Sequence, residues 1–226
     1  MSTGMGEYGP LGSRPPIHSS VEDKVAPVRT ALLIIDMLND FLDPEGKTAQ
    51  RAQRPIAHAR AVIPAQQRLI ACARSAGVGV VFVNHTTLPG FASASGPWLD
   101  ARSRATYSTE DICLKGTWGA KVIDELTPGP DDLIVEKYRY SGFAGTNLEL
   151  VLRSTGIQTV VCAGVSTNVC VEATAREAFS LDHYVIYAGD ACASWDMDLH
   201  AATLSTAAHR YAVVTETSEL ARIWRG

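Results

Sequence analysis

The chain has 226 residues, of which 46% are hydrophobic, 19% charged and 7% aromatic, a composition that excludes a disordered or collagen-like protein. Twenty Lys and Arg against twenty-four Asp and Glu leave a net charge of −4, which argues against a surface built to grip nucleic acid or a membrane. A chain of this length buries roughly 70–75% of its unfolded surface, so a single domain can hold together without disulfides or structural metal.

Five cysteines (Cys72, Cys113, Cys162, Cys170 and Cys192) are odd in number and show no CxxC spacing, so they read as reduced thiols of a cytoplasmic protein. The longest apolar runs, such as Ala31–Ile35, fall far short of the ~18–20 residues that span a bilayer, and no secretory leader is evident.

In chain order, Met1–Arg29 carries four Gly and four Pro without periodicity and reads as an N-terminal arm, either flexible or docked on a neighbouring subunit. From Thr30 to Gly226 a single domain is expected. Strands are predicted over Ala31–Asp36, Val78–Val83, Leu133–Glu136, Ile157–Cys162, Tyr184–Tyr187 and Tyr211–Val214, each a short β-branched run. Between them the apolar spacing predicts helices over Pro64–Ser75, Ala120–Leu126, Asn147–Ser154, Asn168–Leu181, Leu199–Arg210 and Ser218–Trp224, with Gly77 and Gly156 as stops. Alternating strands and helices imply an α/β fold, a three-layer α/β/α sandwich around a mostly parallel sheet of about six strands. The long Gly-, Ser-, Thr- and Pro-rich segment from Asn84 to Gly119 is expected to help roof a site.

Ligands of open parallel sheets bind beyond the carboxyl ends of the strands. Three reactive side chains fall there: Asp36 ends the first strand, Lys137 follows the third, and Cys170 lies beyond the fourth in the turn that opens a helix. A thiol in a first helical turn sits among unpaired amides and at the positive end of the helix dipole, which favours the thiolate and offers donors to an oxyanion. Lys137 would favour the thiolate further, and Asp36 would take the thiol proton and return it to a leaving amine. The other four cysteines read as buried small hydrophobes. Taken singly, Asp36 reads equally as a loop cap and Lys137 as a solvated charge; their convergence with Cys170 is what makes a site.

Four ordered blocks, Leu32-Leu-Ile-Ile-Asp-Met-Leu-Asn-Asp-Phe41, Lys115-Gly-Thr-Trp118, Glu136-Lys-Tyr-Arg-Tyr-Ser-Gly-Phe143 and Gly164-Val-Ser-Thr-Asn-Val-Cys-Val-Glu-Ala-Thr-Ala-Arg-Glu-Ala178, resemble the isochorismatase-like cysteine hydrolases. The family's Asp, Lys and Cys triad falls on Asp36, Lys137 and Cys170. The resemblance implies a thioester mechanism, a cis peptide between Val165 and Ser166, and an oxyanion site formed by the backbone N–H groups of Ser166 and Cys170. It also implies a homodimer or homotetramer.

Retention of Cys170 favours C–N hydrolysis over vinyl-ether cleavage of isochorismate. The Asp-x-His metal motif of nicotinamidases is replaced by Asp43-Pro-Glu-Gly-Lys-Thr48, with no histidine between the first strand and His58, so neither a metal nor another cofactor is expected. The motif set looks most like the ureidoacrylate amidohydrolase branch, implying a small linear amide or carbamoyl substrate and release of ammonia.

Candidate substrate contacts are Asn39, Phe41, Trp118 and Tyr140, with Trp118 equally readable as core. Arg139 reads as a carboxylate ligand or a solvent-facing charge. His85 reads as a pocket-wall or loop residue, and Asp190 as a loop tie to local amides. Nicotinamide or isochorismate hydrolysis, or redox sensing by Cys170, are the alternatives.

Overall fold

The computed structural model describes residues 15–52, 55–103 and 111–226. Six strands form one sheet in which every pairing is parallel, in the order β3-β2-β1-β4-β5-β6: β1 (Thr30–Ile35), β2 (Gly79–His85), β3 (Leu133–Lys137), β4 (Thr159–Val165), β5 (Tyr184–Ala193) and β6 (Ala212–Thr215). The α-helices are α1 (Val21–Lys24), α2 (Asn39–Leu42), α3 (Lys47–Ala52), α4 (Ala57–Ala61), α5 (Ile63–Ala76), α6 (Gly96–Ser103), α7 (Leu148–Ser154), α8 (Glu172–Ser180), α9 (Met197–Arg210) and α10 (Thr217–Arg225).

Period-two alternation along the buried strands splits the core into two layers. Leu32 and Ile34 of β1, with Val80 and Phe82 of β2, pack with Leu69 and Ile70 of α5 and Leu220 and Trp224 of α10. On the opposite face Ala31, Leu33 and Ile35 pack with Leu148 and Leu152 of α7, Ala175 and Ala178 of α8, and Ala207 of α9. The three-layer sandwich read from the sequence is the architecture observed.

Two elements differ from the sequence reading. Residues 120–126 are not an α-helix but two 3₁₀ turns, Trp118–Ala120 and Asp124–Leu126. The stretch between those turns pairs with the segment after β1: Asn39 N–H donates to the Lys121 carbonyl at 3.0 Å and Ile123 N–H to the Met37 carbonyl at 3.0 Å. Tertiary pairing overrides helical spacing here. The fifth strand continues past Tyr187 to Ala193 through small residues, with a register shift against β4 between Cys162 and Gly164.

Residues 18–29, part of the segment read as an arm, make contacts with the core of their own chain. Val25 is fully buried in the core, and its carbonyl accepts a hydrogen bond from Trp224 Nε1 at 2.9 Å. Thr159 Oγ1 donates to the Lys24 carbonyl at 2.6 Å, and the Tyr184 hydroxyl accepts from His18 N–H at 3.1 Å. Residues 1–14 lie outside the described residues.

Candidate active site

The carboxyl ends of β1, β3 and β4 bring Asp36, Lys137 and Cys170 together. Asp36 follows β1 with a left-handed φ of 56° and is 1% exposed. One carboxylate oxygen accepts His85 N–H at 2.7 Å; the other lies 2.8 Å from Lys137 Nζ. Lys137 closes β3 with no exposed surface and also donates to the Arg139 carbonyl at 3.2 Å. Two opposite charges taken out of water persist only as a pair. Cys170 Sγ lies within hydrogen-bonding reach of both. Burial by itself would lower the Lys137 pKa; the Asp36 charge and, once it ionises, the Cys170 sulfur act against it, and the net direction is upward.

The nucleophile turn is built from backbone. Gly164 has a φ of 130°, and a Cβ there would overlap the Ile35 carbonyl oxygen, so only glycine lets β4 approach β1 at this point. The Val165–Ser166 peptide is cis. Residues Thr167–Val171 then form a single π-helical turn leading into α8, with the N–H groups of Val169 and Val171 both donating to the Ser166 carbonyl, at 3.0 and 3.2 Å. Ser166 Oγ and Ser194 Oγ both approach Asn168 Oδ1 to 2.7 Å, tying the turn to the end of β5.

The surroundings of Cys170 oppose the pull toward the thiolate that its place in the turn and Lys137 exert. Burial, followed by the Asp36 charge, pushes its pKa well above the ordinary thiol value and outweighs Lys137. Both influences favour the thiol, and a carboxylate stands beside it to take the proton.

Above this floor lies a pocket with about 530 Å³ of empty space, including its open mouth. It is lined by Asp36, Ser166 and Cys170 below and by Phe41, His85, Trp98, Arg102, Tyr140 and Trp195 around. The rings adjoin in series: Trp195 and Phe41 centroids are 6.3 Å apart, Phe41 and His85 6.4 Å, His85 and Trp98 6.1 Å, Trp98 and Tyr140 4.8 Å.

Of the five residues read as substrate contacts, Phe41 and Tyr140 line the pocket and three do not. Asn39 is buried below, its Nδ2 donating to the Trp118 carbonyl at 2.9 Å. Trp118 is 48% exposed and outside the pocket lining, which excludes the core reading as well. Arg139 stacks on Trp98, its guanidinium carbon 5.2 Å from the ring centroid, but is not among the lining residues, and its Nη1 donates to the Ser93 and Tyr138 carbonyls at 2.8 and 2.7 Å. Asp190 ties down a distant element rather than local amides, accepting from Thr217 N–H and Oγ1 at the start of α10.

Trp98, Arg102 and Trp195 are walls that the sequence reading missed, the first two within the segment expected to roof the site. Among the described residues, no group of three or more His, Cys, Asp and Glu side chains gathers where it could hold a metal ion.

Residues 30–219 match the Isochorismatase domain family. The chain belongs to the isochorismatase family. It is 35% identical over 174 residues to "Ureidoacrylate amidohydrolase RutB" of Agrobacterium fabrum, covering 73% of this chain and 76% of that protein. Its fold matches that of a cysteine hydrolase from Pseudomonas syringae pv. phaseolicola with a TM-score of 0.81 and 28% identity, covering 95% of this chain and 99% of the other. N-carbamoylsarcosine amidase from Thermoplasma acidophilum superposes with a TM-score of 0.67 and 30% identity, covering 84% and 96%.

In this isochorismatase family member, some residues of the motif blocks serve the scaffold. Lys115 pairs with Glu136 at 2.6 Å, and a Cβ on Gly119 would overlap the Asp40 carboxylate, itself held by Cys113 N–H at 2.6 Å and Lys47 Nζ at 3.2 Å. Gly142 N–H donates to Thr174 Oγ1 at 2.9 Å, and that hydroxyl donates to the Cys170 carbonyl at 2.7 Å, clamping the start of α8 to the loop after Lys137.

Proposed function

We propose that this chain is a cysteine-dependent amidohydrolase that cleaves a small linear amide or carbamoyl C–N bond and releases ammonia. One observation carries the reading: a buried carboxylate and ammonium, 2.8 Å apart, beside the partly buried Cys170 thiol at the floor of an aromatic pocket. The names of the related ureidoacrylate amidohydrolase and N-carbamoylsarcosine amidase support the same chemistry.

In this mechanism the substrate carbonyl lies against the N–H groups of Ser166 and Cys170. Cys170 Sγ forms a bond to the carbonyl carbon as its proton passes to Asp36, and the developing oxyanion is held by those two donors. Collapse of the tetrahedral intermediate breaks the C–N bond, and Asp36 returns the proton to the departing nitrogen as ammonia. Water then attacks the thioester, giving a proton to Asp36; the C–S bond breaks and the thiol is restored. With a ureido substrate the intermediate is a carbamoyl thioester and the acid product loses carbon dioxide. Lys137 remains an ammonium throughout and stabilises charge on sulfur and carboxylate.

Desolvation and the Asp36 charge favour the thiol over the thiolate, which suits proton transfer to Asp36 within the substrate complex and disfavours redox sensing through a free thiolate. Iodoacetamide should therefore alkylate Cys170 at pH 7 more slowly than it alkylates a free thiol; faster labelling counts against this assignment.

The deciding experiment measures ammonia from ureidoacrylate, N-carbamoyl amino acids, biuret, maleamate, nicotinamide and simple amides. Cys170→Ser should lose at least ~10⁴-fold in turnover, as nucleophile removal does in other hydrolases, with unfolding unchanged within a few degrees. Turnover that survives in the variant, or silence of the wild type on every amide, overturns the proposal.

A further inference from the structure

Ser166, Thr167 and Asn168 open the turn that carries Cys170, and all three are residue types that commonly cap a helix start by accepting its free N–H groups. Among the described residues, none of the three side chains caps an amide of the turn; each is bonded elsewhere. Ser166 Oγ donates to Asn168 Oδ1 at 2.7 Å, and Ser194 Oγ, just beyond β5, donates to the same oxygen at 2.7 Å. Thr167 Oγ1, with no exposed surface, lies 2.8 Å from Nδ1 of His200 on α9.

Neither Ser194 nor His200 lines the pocket. Both belong to one connection: Ser194 Oγ accepts Asp196 N–H at 3.1 Å, and the Asp196 carboxylate caps α9 by accepting the N–H groups of Asp198 and Leu199 at 3.0 Å. One turn beyond His200, Thr203 Oγ1 donates to Glu172 Oε2 at 3.0 Å, where α8 begins. The segment from Ser194 to Thr203 therefore grips residues 167, 168 and 172, on both sides of Cys170, through side-chain bonds. Burial lowers the His200 pKa, so its ring is neutral at pH 7 and keeps one donor and one acceptor.

We propose that His200, and with it Ser194, is a positioning residue for Cys170: it holds the nucleophile turn from outside the pocket, leaving the Ser166 and Cys170 N–H groups to the substrate oxygen. The inference rests on the amidohydrolase reading above and adds a support to its reacting centre. An oxyanion donor satisfied by a capping side chain is lost to catalysis, yet an uncapped helix start frays. Bonds from α9 remove that conflict, and the rate is sensitive to it, since a misplacement of ~1 Å costs up to ~10²-fold.

The test compares His200→Leu, which removes the bond, with His200→Asn, whose side-chain amide returns a polar atom near the place of Nδ1. On the panel amide that the wild type turns over fastest, His200→Leu should lose about ten- to a hundredfold in kcat with KM changed less than about twofold. His200→Asn should recover to within about threefold of wild type. Iodoacetamide labelling of Cys170, read on its peptide by mass spectrometry, needs no amide turnover. It should run about threefold or more faster in His200→Leu, as the loosened turn uncovers the thiol. Thermal unfolding identifies a folding defect; if His200→Leu fails to fold, Ser194→Ala carries the same test through Asn168 with the same losses expected.

In an active protein the kcat pattern decides: an unchanged kcat in a folded variant, a loss confined to KM, or a loss that His200→Asn shares in full overturns the brace. A wild type silent on every amide overturns the amidohydrolase reading instead. Faster labelling in His200→Leu then still supports the brace, and unchanged labelling overturns it.

Discussion

The floor and the walls of the pocket are built on different principles. Asp36 and Lys137 stand at the ends of parallel strands and Cys170 in the short turn after a third, so sheet register and that backbone turn bring them to one edge. The walls come from α2, the end of β2, α6, the loop after β3 and the second residue beyond β5, and their rings meet through side-chain packing: Trp98 on Tyr140, His85 between Phe41 and Trp98, Trp195 on Phe41. Chemistry thus sits where the backbone dictates position, and recognition sits where it does not.

The largest effect separating the two regions should come from removing a charge from the floor. Lys137→Met strands the Asp36 carboxylate without its partner in a fully buried site, which should cost about 3–5 kcal/mol of stability in denaturant unfolding. Turnover should fall at least a hundredfold, and a variant as stable as wild type would show that the floor is wetter than its burial implies.

A smaller effect should separate wall from surface. Trp98→Ala should lower kcat/KM about tenfold or more by opening the wall, whereas Trp118→Ala, outside the pocket, should change it less than about threefold. Equal effects on both would erase the boundary drawn here.

The mildest test is titration. The pKa of His85 is lowered in the folded state, so below about 6.5 the unfolded chain binds a proton that the folded chain refuses. Stability is therefore complete above about pH 6.5 and falls as the solution is acidified, by up to about 1.4 kcal/mol per pH unit for this group. His183 and His200, also lowered by burial, act in the same direction. Unfolding midpoints between pH 7 and 5 should decline less steeply in His85→Gln; an identical slope would remove His85 from the acid response.

The same division explains what was legible in the sequence. Strand ends can be read from β-branched runs, and all three floor residues followed from them. Reading the fifth strand only to Tyr187, because Ala188–Ala193 offers small residues in place of β-branched ones, hid Trp195; its true end at Ala193 points directly to that side chain. Trp98 and Arg102 lie in a segment without strand periodicity, where only spacing on a short helix relates them. Asn39 and Trp118 drew attention as polar and aromatic residues beside motif positions, but they bond to each other to hold the 118–123 stretch against the end of β1. The upward pull on the Cys170 pKa was not legible at all, since it depends on desolvation by residues distant in sequence.

Gly164 carries a consequence for how such a protein changes over time. Its hydrogen side chain is the condition for β4 to meet Ile35, so that position is closed to the other nineteen amino acids. Trp98, Arg102 and Trp195 are under no comparable constraint from the main chain. Selection in a new environment, or in a directed-evolution library, can therefore rewrite what the enzyme accepts while the reacting centre is inherited intact.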